Sequence, residues 1–315
     1  MSITPGTPPV SLPLDLFRAD TPLAVCLGVF DGVHRGHQAL LERAARFEWP
    51  VVAVTFDPHP AALLSPNRTP PMLGTLTERA EWLHHYGARQ VLVARFDRAF
   101  AAMAPEEFIA TVLRDRLSAR VVVVGEDFRF GCDRSGDVET LRLAGQRAGF
   151  LVEAVGPVFV GGVPARSTTV RQMLSAGRVE EAALLLGRPY RLSGTVTRGK
   201  QLGRTIGFPT ANLAVPPEIL VPAAGIYAAA ANLSDGSRCR AAVSIGTNPT
   251  VTPENRERTV EAFLMDGFAG DLYDQALSLE FFAFLRPMLT FESLEALVEQ
   301  MGRDVAEAAR RVPLR

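Results

Sequence analysis

The 315-residue chain carries 33 basic and 34 acidic residues, a formal charge of -1. That balance excludes the broad cationic face of a non-specific nucleic-acid or anionic-membrane binder. With 47% hydrophobic and 21% charged residues, the composition is that of a globular chain long enough for about two domains. Cys26, Cys132 and Cys239 are far apart and show no metal or redox spacing, as expected of a reducing compartment. Met1 to Leu12 is rich in proline, without a basic start and apolar core, so no signal peptide is expected. No apolar run is long enough for a membrane span, and the expected location is cytoplasmic.

In chain order, the apolar run Leu23 to Val29 predicts a buried parallel strand. A Gly-bounded turn follows, then a helix from Gln38 to Phe47 with Leu40, Leu41, Ala44 and Phe47 on one face. Val-rich runs at Val51 to Phe56, Gln90 to Phe96, Arg120 to Gly125 and Phe150 to Val155 predict further strands. Between them Thr77 to Tyr86, Pro105 to Leu117 and Val138 to Ala148 predict helices, Pro105 suiting a first helical turn. This alternation predicts a parallel sheet with helices on both faces, and ligands beyond the carboxyl ends of its strands. Short helices are expected at Thr168 to Ala176 and Arg178 to Leu186. After Gly187 come Ser193 to Thr197, Gly225 to Ala231, Arg240 to Ile245, Thr259 to Met265 and Ala276 to Leu285, strands in succession that suggest an antiparallel barrel or sandwich. A last helix, Phe291 to about Arg310, offers Leu294, Leu297, Val298, Met301 and Val305 as its apolar stripe. The domains are expected to span 1–184 and 185–315.

The chemistry concentrates where strands end. In Gly28-Val29-Phe30-Asp31-Gly32-Val33-His34-Arg35-Gly36-His37 two histidines stand at a helix start, whose unpaired N–H groups and partial positive charge suit phosphate. A turn with two surface histidines, or zinc bound by His34, His37 and His59, are the competing readings. Gly125-Glu126-Asp127-Phe128-Arg129-Phe130-Gly131 is either a polar ligand loop or a packed loop with an internal ion pair. In Arg166-Ser167-Thr168-Thr169-Val170-Arg171 a hydroxyl could be a helix N-cap, while Arg171 could clamp phosphate. Further on, Gly199, Gly203 and Gly207 permit a loop that wraps phosphates or a plain hairpin connection. Thr210 and Asn212 offer neutral oxygens suited to Mg²⁺.

In their order these elements resemble the nucleotidylyltransferase superfamily, and more closely the adenylyltransferase half of bacterial bifunctional riboflavin kinase/FAD synthetases. The matching runs are GVFDGVHRGH (28–37), FDPHP (56–60), GEDFRFG (125–131), STTVR (167–171) and LLGRPY (185–190). GFPTAN (207–212), GIY (225–227), SIGTNPT (244–250), VEAFLMD (260–266), DLYD (271–274) and LRP…F (285–291) resemble the riboflavin kinase domain. The resemblance implies a nucleotidylyltransferase-like Rossmann α/β domain followed by a mainly antiparallel β-barrel with a C-terminal helix. It implies phosphorylation of riboflavin to FMN, then transfer of AMP from ATP to FMN, with Mg²⁺ or another divalent cation.

On the same resemblance His34 and His37 are catalytic groups at the ATP phosphates, in a turn completed by Gly28, Phe30, Asp31 and Gly32. Asp127, Arg129, Ser167, Thr168 and Arg171 join that ATP site, and Phe56 and His59 line the flavin side. In the second half Gly199, Gly203, Gly207, Thr210 and Asn212 bind ATP, Thr210 and Asn212 also binding the metal. Glu261 is the general base, and Arg286 and Phe291 face the flavin; a solvated strand Glu and a core Phe are the plainer readings of Glu261 and Phe291. Three positions depart from the family pattern: Arg166 stands where a hydroxyl residue is usual, Phe263 where His is frequent, and Asp274 where Gly is common. Two rivals follow from other classes. One is a nucleotidylyltransferase for another phosphorylated metabolite with a ligand-binding barrel; the other is a flavin-sensing or RNA-binding module, which the neutral, aromatic-poor composition disfavours. The expected partners are small molecules, not nucleic acid or membrane, for a monomer or weak homo-oligomer.

Overall fold

A computed structural model describes residues 11–198, 207–247, 258–266, 270 and 272–313. The chain forms two compact units, Met1–Pro71 with Thr75–Ala165, and Met72–Gly74 with Arg166–Arg315.

The first unit is a six-stranded all-parallel sheet in the order β1-β4-β3-β2-β5-β6. Its strands are β1 (Ser11–Pro13), β2 (Leu23–Leu27), β3 (Val51–Asp57), β4 (Gln90–Arg95), β5 (Ala119–Gly125) and β6 (Leu151–Val155). Strand β2 is buried at every residue, because the sheet is covered on both sides. Ala24 and Cys26 face α1 (Arg35–Ala44) and the core they share with Ala80 and Leu83 of α3 (Leu76–His85). Val25 and Leu27 face the opposite core, with Leu141 of α6 (Val138–Ala148) and Phe108, Val112 and Leu113. Those last residues belong to a helix begun as α5 (Pro105–Glu107) and continued over Phe108–Arg116 with wider turns, closed by the bond from Leu117 N–H to Val112 C=O (3.0 Å). Short helices α2 (Pro60–Leu64) and α4 (Arg98–Ala101) complete the unit, with the hairpin β7 (Phe159–Val160) and β8 (Val163–Pro164). From β2 the chain builds outward through β3 and β4, then returns to place β5 on the other side of β2. Strand order thus reverses beside β2, and the loops after β3, β2 and β5 emerge as neighbours at one end of the sheet.

The second unit begins with α7 (Ser167–Ser175) and α8 (Val179–Leu186). Its centre is a closed antiparallel barrel in the order β10-β13-β12-β11-β14-β9. The strands are β9 (Tyr190–Thr197), β10 (Thr210–Ala214), β11 (Gly225–Leu233), β12 (Arg238–Thr247), β13 (Arg258–Leu264) and β14 (Ala276–Arg286). Sequence reasoning anticipated five of these and missed β10, which closes the ring. Tyr190, Tyr227 and Phe281 are almost wholly buried and fill the barrel, Tyr227 and Phe281 meeting edge to face at 5.3 Å. Alternate small residues, Ala228, Ala230 and Ala283, let the C-terminal helix (Leu294–Arg311) lie close against the outer wall. That helix buries Asp304 and Ala308 most deeply; Leu294, expected in its apolar stripe, is 56% exposed because the helix begins there, at its Ser293 cap.

Candidate active sites

At the end of β2 the backbone turns through an unusual path. Phe30 (φ 55°) and Val33 (φ 39°) adopt left-handed conformations, with Gly32 (φ 76°) between them. A β-branched residue in that region is strained, and such strain persists only where surroundings impose it. Here Phe30 is fully buried, Gln38 Nε2 donates to Val33 C=O (2.9 Å), and Thr55 Oγ1 donates to Val29 C=O (2.8 Å). The outcome is that His34 becomes the residue capping α1, with no side-chain cap bond. Its ring stacks on His37 at 3.7 Å, and Phe30 meets His37 edge-on at 5.2 Å. Glycine is required at 36: a Cβ there would lie 2.9 Å from the Ala165 carbonyl oxygen and 3.1 Å from the His34 ring. Two imidazoles stacked over a helix start form a donor surface suited to phosphate. Among the described residues no three His, Cys, Asp or Glu side chains gather as metal donors, which counts against the zinc reading.

The neighbouring loops contribute unevenly. His59 caps α2: its Nδ1 accepts from Ala61 N–H (3.0 Å), which leaves the proton of the neutral ring on Nε2. Phe56 packs edge-on with Phe96 and Phe100 in the core. After β5, Asp127 is exposed, and Arg129 pairs with Asp137 at 2.8 Å. Asp137 caps α6 through Thr140 N–H, and that bond, with Arg129, lowers its pKa to about 2. The plain reading of this loop foresaw an ion pair within it, whereas Arg129 pairs with a helix cap outside the motif. Cys26 is buried on β2, and burial pushes its thiol far up, so it is no nucleophile.

Ser167, Thr168 and Arg171 lie on the first turns of α7, in the second unit. The N-cap reading of the hydroxyls is overturned, since Arg166 occupies the cap position and makes no side-chain cap bond. Ser167 and Thr168 therefore stand inside the helix start.

On the barrel, Asn212 of β10, Glu261 of β13 and Ser244 of β12 form one cross-strand row. Along β13, Val260, Ala262 and Leu264 are buried inward, so Glu261 projects from the outer wall. Thr210 Oγ1 donates to Glu261 Oε2 (3.2 Å) across the β10–β13 diagonal. Phe263, one step along the same face, packs on Phe208 at 5.3 Å. Gly207 has φ 84°, while Gly199 and Gly203 lie outside the described residues. Arg286 clasps Asp304 of the C-terminal helix (Nε–Oδ1 2.9 Å, Nη2–Oδ2 2.6 Å), with the Phe291 ring at 5.9 Å. Asp274, read as standing where glycine is common, has φ 62°, a conformation that Asp tolerates better than most residues. Asp304, and Gln300 whose Nε2 donates to Asp304 Oδ1 (2.9 Å), were not singled out from the sequence, and Ser244 was read only as part of the run SIGTNPT.

Parallel-sheet switch point and polar-walled barrel together describe a two-part enzyme of phosphoryl and nucleotidyl transfer. Residues 17–169 match the family model for FAD synthetase and residues 186–312 that for riboflavin kinase. A bifunctional riboflavin kinase/FMN adenylyltransferase of Pseudomonas fluorescens is 40% identical over 286 residues, 90% of each chain. Its Escherichia coli K12 counterpart is 38% identical, covering 88% of this chain and 89% of that one. A solved Streptococcus pneumoniae chain described as a macrolide-efflux protein superposes with TM-score 0.86 at 31% identity, over 97% of this chain and 99% of its own. The chain belongs to the bifunctional riboflavin kinase/FMN adenylyltransferase family: it is an enzyme that phosphorylates riboflavin to FMN and adenylylates FMN to FAD, with ATP as donor. No helix among the described residues is long and apolar enough to cross a membrane.

Proposed function

We propose that FAD is made at the switch point of the parallel sheet and FMN on the outer wall of the barrel. The observation that carries this reading is the convergence of three motif loops beyond β3, β2 and β5, together with the separate cluster of Thr210, Asn212 and Glu261 on the barrel. For adenylyl transfer, an FMN phosphate oxygen attacks the α-phosphorus of ATP in line and pyrophosphate leaves. His34 and His37 donate N–H bonds to the charged phosphate oxygens, backed by the positive start of α1. Ser167, Thr168 and Arg171 serve the departing phosphates; Asp127, Arg129, Phe56 and His59 shape the nucleotide and flavin sides. For phosphorylation, the riboflavin 5′-hydroxyl oxygen attacks the γ-phosphorus, Glu261 receives the hydroxyl proton, and ADP leaves. Gly199, Gly203 and Gly207 wrap the ATP phosphates there, and Arg286 and Phe291 border the flavin.

Hydroxyl and amide oxygens beside a carboxylate are the donor set that a hard cation takes, so the residues fit Mg²⁺, which Thr210 and Asn212 would hold. When bound, the cation supplies charge neutralisation at the ATP phosphates. We assign residues 1–184 to adenylyl transfer and 185–315 to the kinase, because the second family model begins at 186. The near-zero net charge and free cysteines support a cytoplasmic protein acting on small molecules, without a nucleic-acid partner, and we take it to be a monomer or weak homo-oligomer.

The deciding experiment resolves FMN from FAD after incubation with riboflavin and ATP, with and without Mg²⁺. His37→Ala should abolish FAD while FMN accumulates; Glu261→Ala should abolish FMN while added FMN still becomes FAD. Loss of FMN formation from riboflavin in His37→Ala, loss of FAD formation from added FMN in Glu261→Ala, or retention of both activities in either variant would refute the assignment.

A further inference from the structure

Arg79 is a cation in the wrong place for a surface helix. It lies on α3, only 5% exposed, in a helix fixed at its start by the Thr75–Glu78 capping box. Buried arginines are rare unless paired. Its Nη1 donates to Thr55 Oγ1 and to Phe56 C=O, both at 3.1 Å. Thr55, fully buried on β3, donates in turn to Val29 C=O at 2.8 Å. One hydrogen-bonded chain therefore ties α3 to the end of β3 and to the carbonyl that precedes the strained Phe30–Val33 turn. Two carboxylates act on the guanidinium: Asp31, 2% exposed within that turn, and Asp57, at the end of β3. Burial lowers the Arg79 pKa and both aspartates raise it, but an arginine stays protonated in either case. Arg79 is connected to the ends of β3 and β2, and each of these carries an acidic residue on the side where, on the proposed reading, anionic substrates arrive.

We propose that Arg79 is a positioning residue for adenylyl transfer. From beneath the site it neutralises Asp31 and Asp57, and through Phe56 C=O and Thr55 it fixes the separation of the loops after β2 and β3. Without it the negative charge of Asp31 and Asp57 is less offset toward ATP and FMN, and the turn that presents His34 and His37 loses its tie to α3. The inference rests on assigning adenylyl transfer to this end of the sheet.

The test uses the full-length enzyme and measures KM and kcat for FAD formation from ATP and FMN, with riboflavin phosphorylation and thermal melting measured on the same samples. Arg79→Met keeps the side chain's bulk and removes its charge. It should raise KM for ATP and lower kcat/KM for FAD formation about 100-fold, the scale of a misplaced reacting group. Arg79→Lys should recover about tenfold of that loss by restoring charge. Thr55→Val keeps the cation and cuts the link to Val29; it should lower kcat about tenfold, as for a lost hydrogen bond to a charged group. FMN formation should be unchanged in all three. An unchanged KM in Arg79→Met, or Arg79→Lys no better than Arg79→Met, would overturn the proposal. If Arg79→Met does not fold, parent-like constants in both other variants would overturn it. His37→Ala separates the two levels: if it still makes FAD, the site assignment fails; if it is inactive while Arg79→Met is parent-like, only the role of Arg79 fails.

Discussion

On the assignment proposed above, the switch-point turn and the barrel wall solve the same problem, holding oxygen and nitrogen groups toward a triphosphate, by opposite means. In the first unit the groups hang on loops beyond strand ends. Left-handed Phe30 and Val33, buried Asp31 and Arg79, and the stacked histidines all depend on one another. On the barrel the groups stand on strands, and the pleat itself aims Asn212, Glu261 and Ser244 outward while their neighbours fill the interior. The lesson is that alternation can supply a site with no strained backbone, whereas a site made of loops needs a second set of buried bonds to keep it in shape.

That contrast can be broken at its most crowded point. Gly36→Ala should lower FAD formation about 100-fold, because its Cβ would lie 2.9 Å from the Ala165 carbonyl oxygen, and should leave FMN formation intact. Parent-like FAD synthesis in steady-state assays would show that the turn relaxes freely. A smaller effect is expected on the barrel side. Asp304→Ala leaves Arg286 without its bidentate partner, and removing one member of a buried pair costs about 3 kcal/mol. Urea unfolding measures it; a loss below about 1 kcal/mol would class the pair with ordinary surface ion pairs. The smallest effect concerns Asp137, whose pKa is lowered to about 2 chiefly by the Thr140 N–H bond. A depressed carboxylate pKa gives stability that is present above the unfolded value and fades as pH falls through the folded one. Protection of the Thr140 amide, measured against its intrinsic exchange rate, should therefore fall between about pH 4 and pH 2, and pH-independent protection in that window would remove the cap from the account.

Much of the architecture was legible because apolar periodicity is strong where a strand or helix is buried. The helix expected over Val138 to Ala148 is found at those residues, between its Asp137 cap and Gly149 in the left-handed conformation. Strand β10 escaped notice because Thr-Ala-Asn-Leu-Ala is small and half polar and follows a proline, so nothing in it resembles a β-rich run. Edge strand β1 is too short, and Pro-containing, to register. The loop positions were readable, but not what each side chain does there. Phe56 turns into an aromatic cluster, His59 caps a helix, and Arg129 reaches a carboxylate outside its motif. Arg79 was invisible for a related reason: in sequence it is one more charge on an amphipathic helix. Only burial against Thr55 and Phe56 distinguishes it.

The filled interior of the barrel has a consequence for how the enzyme can change. Tyr190, Tyr227 and Phe281 occupy the space that a wider barrel would give to a ligand. On the proposed reading riboflavin is bound from outside, by residues of the outer wall. Substitutions inside can therefore drift for heat tolerance while the wall evolves for substrate choice, two nearly independent dials on one scaffold. At the parallel-sheet end the residues that hold the loops together, Arg79 and Thr55, adjoin the proposed site, which leaves less such freedom.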